Sequence, residues 1–394
     1  MKPHTHSGVP VLAEDRAGCP RPDEQSAAIP PGPAEDGGRP RGGWRLGLGL
    51  ALLHAALITA TAQDLIVTAV DYASGCATID FLTPEPAGRH QLEVSADLRT
   101  WEPVPIATFQ VQGASALRTG LAGVPESPSF FRISLWESPA TNPPVYVNLQ
   151  VDAELEDTQG LRTIMAELEQ RQIAATVYVT ADYANRNALL IAELFQHGFE
   201  VALHGYYTGE QLASMTYEQQ KDLLARAKLA LEGCKPCGTY KPIVGFRPQY
   251  FSQNDDTYRV LDELALTHNS GFKVGQLYLP GHTWQAAPYA ATGHSFSVIP
   301  ITTVPVGCDR AYLCDLACGQ VLHWTPDQWR DGLLQALAEA LETRQPLVVL
   351  LHGYYAGDAA KYGYWQPVLE FLDAAAGKVT FVQSKDLVDL ASQP

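Results

Sequence analysis

The chain has 394 residues, enough for two or three domains. Hydrophobic residues make up 46% and charged residues 18%, the balance of a globular protein with a substantial core. The formal net charge is −16 at pH 7, and residues 1–62 hold as many basic as acidic side chains, so the excess of negative charge lies in the rest. This excess of negative charge argues against nucleic acid or an anionic membrane as the partner, because proteins that bind either one need clustered Lys and Arg.

The N-terminal region predicts a disordered extension followed by an export signal. Residues 1–43 are rich in Pro, Gly and charge and have no periodic apolar pattern, which is typical of disorder. In residues 44–62 a short apolar run follows a basic flank and ends in Ala60-Thr-Ala62, as in a signal peptide cleaved after Ala62. An uncleaved anchor is the alternative, although the run is short for a bilayer. We therefore expect an exported protein, secreted, periplasmic or at the cell surface, with no stable membrane insertion after cleavage.

Six cysteines follow the predicted cleavage site. They are Cys76, Cys234, Cys237, Cys308, Cys314 and Cys318. In an exported protein this set predicts disulfides rather than a zinc knuckle, although the sequence does not choose the pairing. Cys76 lies in a different region from the other five, which leaves room for a free thiol.

Residues 63–137 predict a small β-sandwich, because short strand-like runs alternate with turn residues and show no helical period. The predicted strands are 65–70, 77–81, 91–94, 106–111 and 130–135. We interpret this region as a spacer or accessory domain. Carbohydrate binding is the alternative, with Trp101 and Trp136 as candidate stacking surfaces. A proline-rich linker follows at residues 138–144.

Residues 145–394 alternate apolar strands with amphipathic helices, which predicts an α/β fold, a distorted parallel (β/α) barrel. The predicted strands are 145–151, 174–179, 200–203, 243–246, 295–302, 347–351 and 379–382. One helix start is especially clear, because Thr325, Pro326 and Gln328 supply an N-cap, a first-turn proline and a capping-box glutamine.

Charged and imidazole side chains follow four of these strands. The segments are Val151-Asp152-Ala-Glu154, Leu203-His204-Gly205, Phe246-Arg247-Pro248 and Leu351-His352-Gly353. Because the carboxyl ends of parallel strands meet at one mouth of a barrel, we expect these side chains to share a pocket. Each also has a structural alternative, as a helix cap, an ion-pair partner or a hydrogen-bonded turn histidine. Together they could hold a divalent metal and move protons during hydrolysis.

From about Val145 to Leu390 the chain resembles the polysaccharide deacetylases (NodB homology, carbohydrate esterase family 4), in the group whose first motif is Asp-x-Glu. The matching segments are Asp152-Ala-Glu154, Glu200-Val-Ala-Leu-His-Gly-Tyr-Tyr207 with Met215–Gln219, Gly245-Phe-Arg-Pro248 with Asp256–Leu264, and Leu350-Leu-His352. Their order and spacing cover roughly two thirds of the chain.

The resemblance implies a role for each strand-end residue. Asp152 would be the general base, His352 the general acid, and Arg247 would orient Asp152. Glu154 and His204 would be ligands of a divalent metal, with zinc as the expected ion. The leading hypothesis is thus an exported, metal-dependent hydrolase that removes N-acetyl or related acyl groups from a polysaccharide.

Two positions depart from the family pattern. The second motif of the family carries another histidine four residues after the first, and this sequence has Thr208 there. A threonine hydroxyl is a poor zinc ligand beside imidazole and carboxylate. Glu210, His282 and His294 are candidate replacements. Gln249 stands where a small residue or proline is more usual.

These departures keep two alternatives open. The first is a catalytically inactive carbohydrate-binding relative with a decayed metal site. The candidate substrate-binding residues are Tyr206, Tyr207, Tyr250 and Tyr354, with Tyr355 beside them, and these rings could equally pack the barrel rim. The second is a hydrolase of small cyclic amides, against which the export signal argues. In the leading hypothesis and the first alternative the partner is a carbohydrate polymer, and the oligomeric state is left open.

Overall fold

The structure, a computed structural model, describes residues 66–73, 76–83, 90–95, 98–99, 101–104, 109–112, 116–122, 130–135, 143–155, 158–234, 242–307 and 309–392. Outside them lie the predicted extension 1–43, the predicted leader 44–62, Trp136, Cys237 and Cys308. Cys234, Cys314 and Cys318 lie within them and are free thiols. Disulfide pairing therefore stays a prediction for the remaining cysteines.

The N-terminal part consists of short antiparallel strands in two sheets. The strands are β1 (Ile66–Ala73), β2 (Cys76–Leu82), β3 (His90–Ser95), β4 (Glu102–Pro103), β5 (Phe109–Val111), β6 (Ala116–Ala122) and β7 (Phe130–Leu135). Their orders are β1-β2-β6-β5 and β4-β3-β7. Ile79 of one sheet and Leu92 of the other are buried in one apolar cluster, as in a sandwich. The Arg132 guanidinium lies 4.5 Å from the ring centroid of Trp101, so one face of this candidate stacking surface is already covered.

The C-terminal part is built on a nine-stranded sheet of order β13-β14-β12-β11-β10-β9-β8-β17, with β18 also paired to β8. The strands are β8 (Tyr146–Ala153), β9 (Ala175–Val179), β10 (Glu200–Leu203), β11 (Gly245–Phe246), β12 (His268–Lys273), β13 (Tyr289–Ala290), β14 (Ser297–Ile301), β17 (Leu347–His352) and β18 (Thr380–Phe381). A hairpin of β15 (Thr303–Val306) and β16 (Asp309–Tyr312) follows β14. All pairs in the large sheet are parallel except β13 with β14.

This sheet curls until its two sides meet. The amide of Thr302 donates to the carbonyl of Val348 at 3.2 Å, and the amide of Val348 donates to the Thr302 hydroxyl at 2.9 Å. The result is an incomplete barrel, which confirms the predicted fold class.

Helices cover the outside of the curl. They are α1 (Gln159–Gln170), α2 (Ala181–Arg186), α3 (Ala188–Gln196), α4 (Tyr217–Gly233), α5 (Asp255–Glu263), α6 (Pro326–Thr343), α7 (Ala359–Tyr362), α8 (Trp365–Ala375) and α9 (Ser384–Ala391). Short 3-10 turns lie at Leu212–Ser214 and Gln249–Phe251, and a π turn at Ala317–Val321. The predicted capping box of α6 is present, with Gln328 and Thr325 bonded reciprocally. In the described part of the chain no helix combines the length and apolar character needed to cross a membrane.

Alternation along the strands separates an apolar outer layer from a polar interior. Val147, Leu149 and Val151 of β8 belong to the apolar core beneath the helices. Their neighbours Asn148 and Gln150 are fully buried and bonded to each other at 2.6 Å inside the curl. Because successive strand residues point to opposite faces, Asp152 continues this polar row to the carboxyl end of the strand.

Strand β12 is absent from the predicted elements. Its sequence, His268-Asn-Ser-Gly-Phe-Lys273, lacks the apolar run by which the other buried strands are recognised. Its interior side chains are polar because they face other polar groups of the interior. His268 Nε2 lies 3.3 Å from Glu200 Oε1, and the Ser270 hydroxyl donates to Gln150 Oε1 at 2.8 Å.

A glycine contact ties α1 to the turn that follows β17. A methyl group at Gly160 would overlap the carbonyl oxygen of Gly353, the residue after His352. We expect Gly160→Ala to lower the free energy of unfolding by about 1–3 kcal/mol, since backbone atoms must move. Gly233→Ala is the matched control, because a methyl group there meets no described atom within 4 Å, and it should be neutral or stabilising by up to about 1 kcal/mol. Urea unfolding measures both, and equal effects would contradict the packing argument.

Candidate functional site

Strand register brings the expected site residues to the carboxyl edge of the curled sheet. His352 pairs with Asp152 across β17 and β8. On the other side, Leu203 of β10 pairs with Phe246 of β11, so the residues that follow them, His204 and Arg247, lie side by side. The strand-end side chains therefore share one pocket, as the sequence predicts.

Asp152 is held by a buried guanidinium. Arg247 donates to Asp152 Oδ1 from Nε at 3.0 Å and from Nη2 at 2.5 Å, and it donates to Gln150 Oε1 from Nη1 at 2.5 Å. The guanidinium carbon also lies 4.0 Å from the ring centroid of Tyr178. Burial opposes ionisation of Asp152, but Arg247, with His204 and His352, outweighs it and holds the pKa of Asp152 below its usual range. The free oxygen, Oδ2, is thus a carboxylate oxygen that faces the pocket.

His204 directs its Nε2 towards Asp152 and Glu154. Its Nδ1 lies 2.8 Å from the main-chain carbonyl oxygen of Arg247, which can only accept, so Nδ1 carries the hydrogen. In the neutral ring Nε2 then holds the free lone pair, as a metal ligand requires. Nε2 lies 3.4 Å from Asp152 Oδ2 and 3.8 Å from Glu154 Oε2.

These separations fit a shared cation. Two ligand atoms that each lie about 2.0–2.2 Å from an ion at a tetrahedral angle are about 3.3–3.6 Å apart. The two distances from His204 Nε2, 3.4 Å to Asp152 Oδ2 and 3.8 Å to Glu154 Oε2, are close to this spacing. The other oxygen of Glu154 accepts a hydrogen bond of 3.3 Å from the Tyr354 hydroxyl, which orients the carboxylate. The imidazole of His204 and the carboxylate of Glu154 are suitable ligands of a divalent metal, and the Asp152 carboxylate lies beside them.

His352 is backed by Asp315, a residue that the sequence analysis missed. Its Nδ1 lies 2.7 Å from Asp315 Oδ1, while Asp315 Oδ2 accepts from the amides of His352 at 2.8 Å and Ala356 at 3.0 Å. Burial disfavours the imidazolium, but the charge of Asp315, assisted by Cys314, raises the pKa of His352 well above its ordinary value. The protonated Nε2 lies 3.8 Å from Asp152 Oδ2.

A second group of metal-ligand side chains lies beside the first. Cys314, Asp315 and His352 bring three ligand atoms within 4.8 Å of one another, and all three residues are buried. The Asp315 carboxylate, however, already accepts four hydrogen bonds, one of them from the imidazole. In this arrangement the group holds a proton on His352, whereas the Asp152, Glu154 and His204 side is open to an ion.

None of the candidate replacements for the missing histidine is directed at this cation position. The Glu210 carboxylate accepts from the amides of Tyr206 and Tyr207 at 3.0 and 2.6 Å, as a cap of the turn after β10. His282 lies 2.7 Å from Gln285 Oε1, and His294 lies 2.7 Å from Asp262 Oδ2. The Thr208 hydroxyl instead donates to the main-chain carbonyl of Glu154 at 2.5 Å, so position 208 does lie next to an expected ligand.

Gln249, the second departure from the family pattern, forms hydrogen bonds with the main chain of the turn at residues 204–209. Its Nε2 donates to the carbonyls of His204 at 3.0 Å and Tyr207 at 2.5 Å, and its Oε1 accepts from the amide of Gly209 at 2.6 Å. Gln249 is nearly fully buried. The turn that holds His204 and Thr208 is therefore fixed by one amide side chain and one carboxylate.

The candidate substrate-binding tyrosines divide into exposed and packed rings. Tyr207 and Tyr250 are 50% and 69% exposed, and they can stack on a ligand. Tyr206 lies under the Arg226 guanidinium at 5.1 Å. Tyr354 is half-buried with its hydroxyl on Glu154, and burial raises its pKa. Tyr355 is buried and stacks on Tyr362, so it packs the rim.

Comparison with known proteins agrees with this geometry. Residues 140–268 match the family model described as polysaccharide deacetylase. No curated protein sequence matches the chain. A Mycobacterium smegmatis structure assigned to the polysaccharide deacetylases aligns at a TM-score of 0.52 and 18% identity, covering 65% of this chain and 92% of that one. The structure of PuuE allantoinase aligns at 0.50 and 16% identity, covering 64% and 93%.

Because these identities are low, the two structures show a similar fold and nothing more. The likeness to the polysaccharide deacetylases comes from the sequence match over strands β8–β11 and their helices. Residues 140–268 thus match the polysaccharide deacetylase family model and form the first part of the incomplete barrel.

Proposed function

We propose that this chain is an exported, metal-dependent hydrolase that removes N-acetyl or related N-acyl groups from a polysaccharide. One observation carries the proposal: Asp152 Oδ2 and His352 Nε2 face each other at 3.8 Å, and each residue has its own buried partner, Arg247 or Asp315. Partners of opposite charge favour a carboxylate on one side and an imidazolium on the other. Such a pair supplies a general base and a general acid at the same pH.

The chain's own residues divide the proton transfers between them. Asp152 Oδ2 accepts the proton of the attacking water, while Arg247 keeps Oδ1 in place. His352 Nε2 gives its proton to the departing amine nitrogen, and Asp315 on Nδ1 stabilises the protonated ring until then. A divalent cation held by Glu154 and His204, with Asp152 Oδ2 beside them, would polarise the acyl carbonyl. Zinc is our first choice, because imidazole and carboxylate are its usual ligands in hydrolases.

The sugar would meet the exposed aromatic rings near this edge. Tyr207 and Tyr250 offer large, accessible ring faces, and sugars stack on such faces through their apolar C–H surfaces. Export rests on the leader pattern of residues 44–62.

Metal content and acetate release test the proposal together. We expect about one zinc ion per chain in the purified full-length protein. We also expect acetate release from N-acetylated oligosaccharides that falls with chelation and returns with added zinc. A folded sample that binds no divalent metal and releases no acetate would contradict the hydrolase.

Thr208 favours a second candidate function, sugar binding without turnover. With threonine at this position the cation has one imidazole and carboxylates rather than two imidazoles, which weakens binding. Saturable oligosaccharide binding in a sample without metal or acetate release would support this alternative.

Thr208→His tests whether position 208 limits the metal site. Since the Thr208 hydroxyl donates to the main-chain carbonyl of Glu154 at 2.5 Å, an imidazole at position 208 would lie beside the residue that carries a proposed ligand. We expect zinc affinity to rise by about tenfold or more, with a matching gain in rate at low zinc. Thr163→His is the matched control, because its hydroxyl also donates to a main-chain carbonyl but on helix α1. Unchanged affinity in Thr208→His would place position 208 away from the ion.

A further inference from the structure

Lys273 is a half-buried amine at the same edge of the sheet. It ends β12, and its Nζ lies 4.4 Å from the ring centroid of Phe251 and 4.5 Å from that of Tyr312. Those two rings contact each other edge to face, with centroids 5.4 Å apart. Among the described residues no carboxylate pairs with this amine. Lys273 is therefore a cation held by aromatic faces, with no counter-ion in the part of the chain that the structure describes.

The amine lines a cavity of about 470 Å³. The polar lining is supplied by Lys273, Gln276, Tyr278, Arg310 and Tyr312, and none of the described lining residues is an Asp or Glu. Glu339 acts on the charge of Arg310 from outside the described lining, so the positive potential of this cavity comes chiefly from Lys273, in a chain whose net charge is −16. Its volume is in the range of small-molecule sites.

Two segments of the chain connect the residues around this cavity with the reaction centre. The amide of Cys314 donates to the carbonyl of Tyr312 at 2.7 Å, and Asp315 follows directly. The other ring on Lys273, Phe251, lies on the loop that begins with Arg247. Phe251 and Tyr312, the two rings that contact the Lys273 amine, therefore lie on the segments that carry Arg247 and Asp315, the partners of the proposed base and acid.

The pKa of the Lys273 amine reflects its burial between the two rings. Burial lowers the pKa of Lys273 from its ordinary value, and only Cys314 opposes that effect. An ammonium that has exchanged water for ring faces gains more from an anion than an exposed lysine does, because the interaction is less screened.

We propose that the cavity binds an anionic substituent of the substrate, a carboxylate or a phosphate, with Lys273 as the pairing cation. This deepens the proposed function and rests on it: the substrate would be an acidic polysaccharide, charged on a sugar near the N-acylated one. Arg310 contributes positive potential from the cavity wall, where its guanidinium is bonded to Thr303 at 2.7 and 2.9 Å. Tyr312 presents a ring to both the amine and the cavity, and so to the sugar that carries the charge.

Calorimetric binding to oligosaccharides of equal length tests the proposal. The probes are a neutral chitin oligomer, an oligomer that alternates N-acetylglucosamine with glucuronate, and a phosphorylated chitin oligomer. We expect the full-length protein to bind at least one acidic oligomer about tenfold more tightly than the neutral one, and which of the two it prefers identifies the anion. Lys273→Met, whose thioether fits between the same rings, should abolish the preference and leave neutral binding unchanged.

Two further variants separate charge from packing. Lys273→Arg should keep most of the preference, since it keeps the cation. Lys361→Met should change neither affinity, because Lys361 lies over the Tyr362 ring but is exposed and outside the cavity. Equal affinity of the full-length protein for neutral and acidic oligomers would overturn the proposal, and so would an equal loss of both affinities in Lys273→Met.

Acetate release distinguishes this failure from failure of the hydrolase itself. If acetate is released from the neutral oligomer and the protein binds acidic oligomers no more tightly than neutral ones, only the proposal of an anion-binding cavity is wrong. If the protein binds acidic oligomers more tightly, this preference depends on Lys273 and no oligomer releases acetate, the anion-binding cavity is supported and the hydrolase proposal is contradicted.

Discussion

Asp152→Asn is expected to lower kcat/KM by about 10²–10⁴-fold, because an amide cannot accept the proton of the attacking water. The same change should lower the free energy of unfolding by about 3 kcal/mol, since Arg247 is only 1% exposed and loses its ionised partner. The pKa of Asp152 is lowered in the folded protein, so its contribution to stability is present above the pKa of the unfolded carboxyl, about 4. That contribution disappears as pH falls through the folded value. Kinetics on an N-acetylated oligosaccharide and urea unfolding at several pH values measure the two effects.

Asp182→Asn is the matched control for this variant. Asp182 also pairs with an arginine, Arg186 at 2.9 Å, but both side chains are exposed on helix α2. We expect turnover to be unchanged and stability to change by less than about 1 kcal/mol. If Asp152→Asn retained full turnover, the carboxylate would not be the base, whatever its effect on stability.

Asp315→Asn is expected to move the pH dependence of turnover. Although burial disfavours the imidazolium, Asp315 keeps the pKa of His352 well above its ordinary value, so the acid stays protonated at neutral pH. Without the carboxylate the pKa of His352 falls, and the alkaline limb of the kcat profile moves to lower pH. At neutral pH we expect a loss of about 10–100-fold, which recovers in part as pH is lowered.

The stability effect of this pair has the opposite pH dependence from that of Asp152. A histidine with a raised folded pKa stabilises the fold fully below about pH 6.5, and this contribution is lost as pH rises through the folded value. The difference in unfolding free energy between the natural protein and Asp315→Asn should therefore be larger in acid than in alkali. Asp262→Asn is the matched control, because Asp262 pairs with His294 at 2.7 Å away from the proposed acid and base. If the alkaline limb of the kcat–pH profile does not shift in Asp315→Asn, Asp315 does not set the pKa of the proposed acid.

The strand ends show what local pattern can predict. The strands β8, β9, β10, β14 and β17 lie within two residues of their predicted bounds, since each is an apolar run with clear turn residues around it. Parallel order then requires their carboxyl ends to meet, so Asp152, His204 and His352 could be placed together without coordinates. The α6 capping box was predictable for the same reason, because all of its partners lie within three residues.

Pairings between distant polar residues could not be predicted in this way. Strand β12 was missed because its inward side chains are polar, and they are stable there only through Glu200 and Gln150 on other strands. Asp315 lies 37 residues from His352, and Gln249 lies 45 residues from His204, with no periodic signal joining either pair.

The sequence by itself thus determined the order of strands and helices, the polar residues at the strand ends and the likeness to one family, because apolar spacing and short motifs are local properties. Only the tertiary structure decided which polar groups pair inside the curl. Asp315 behind His352, Gln249 across the Thr208 turn and the aromatic rings around Lys273 each depend on which side chains the curled sheet brings close together. Desolvation makes those distances decisive, since a buried charge is stable only beside a partner that the fold has placed there.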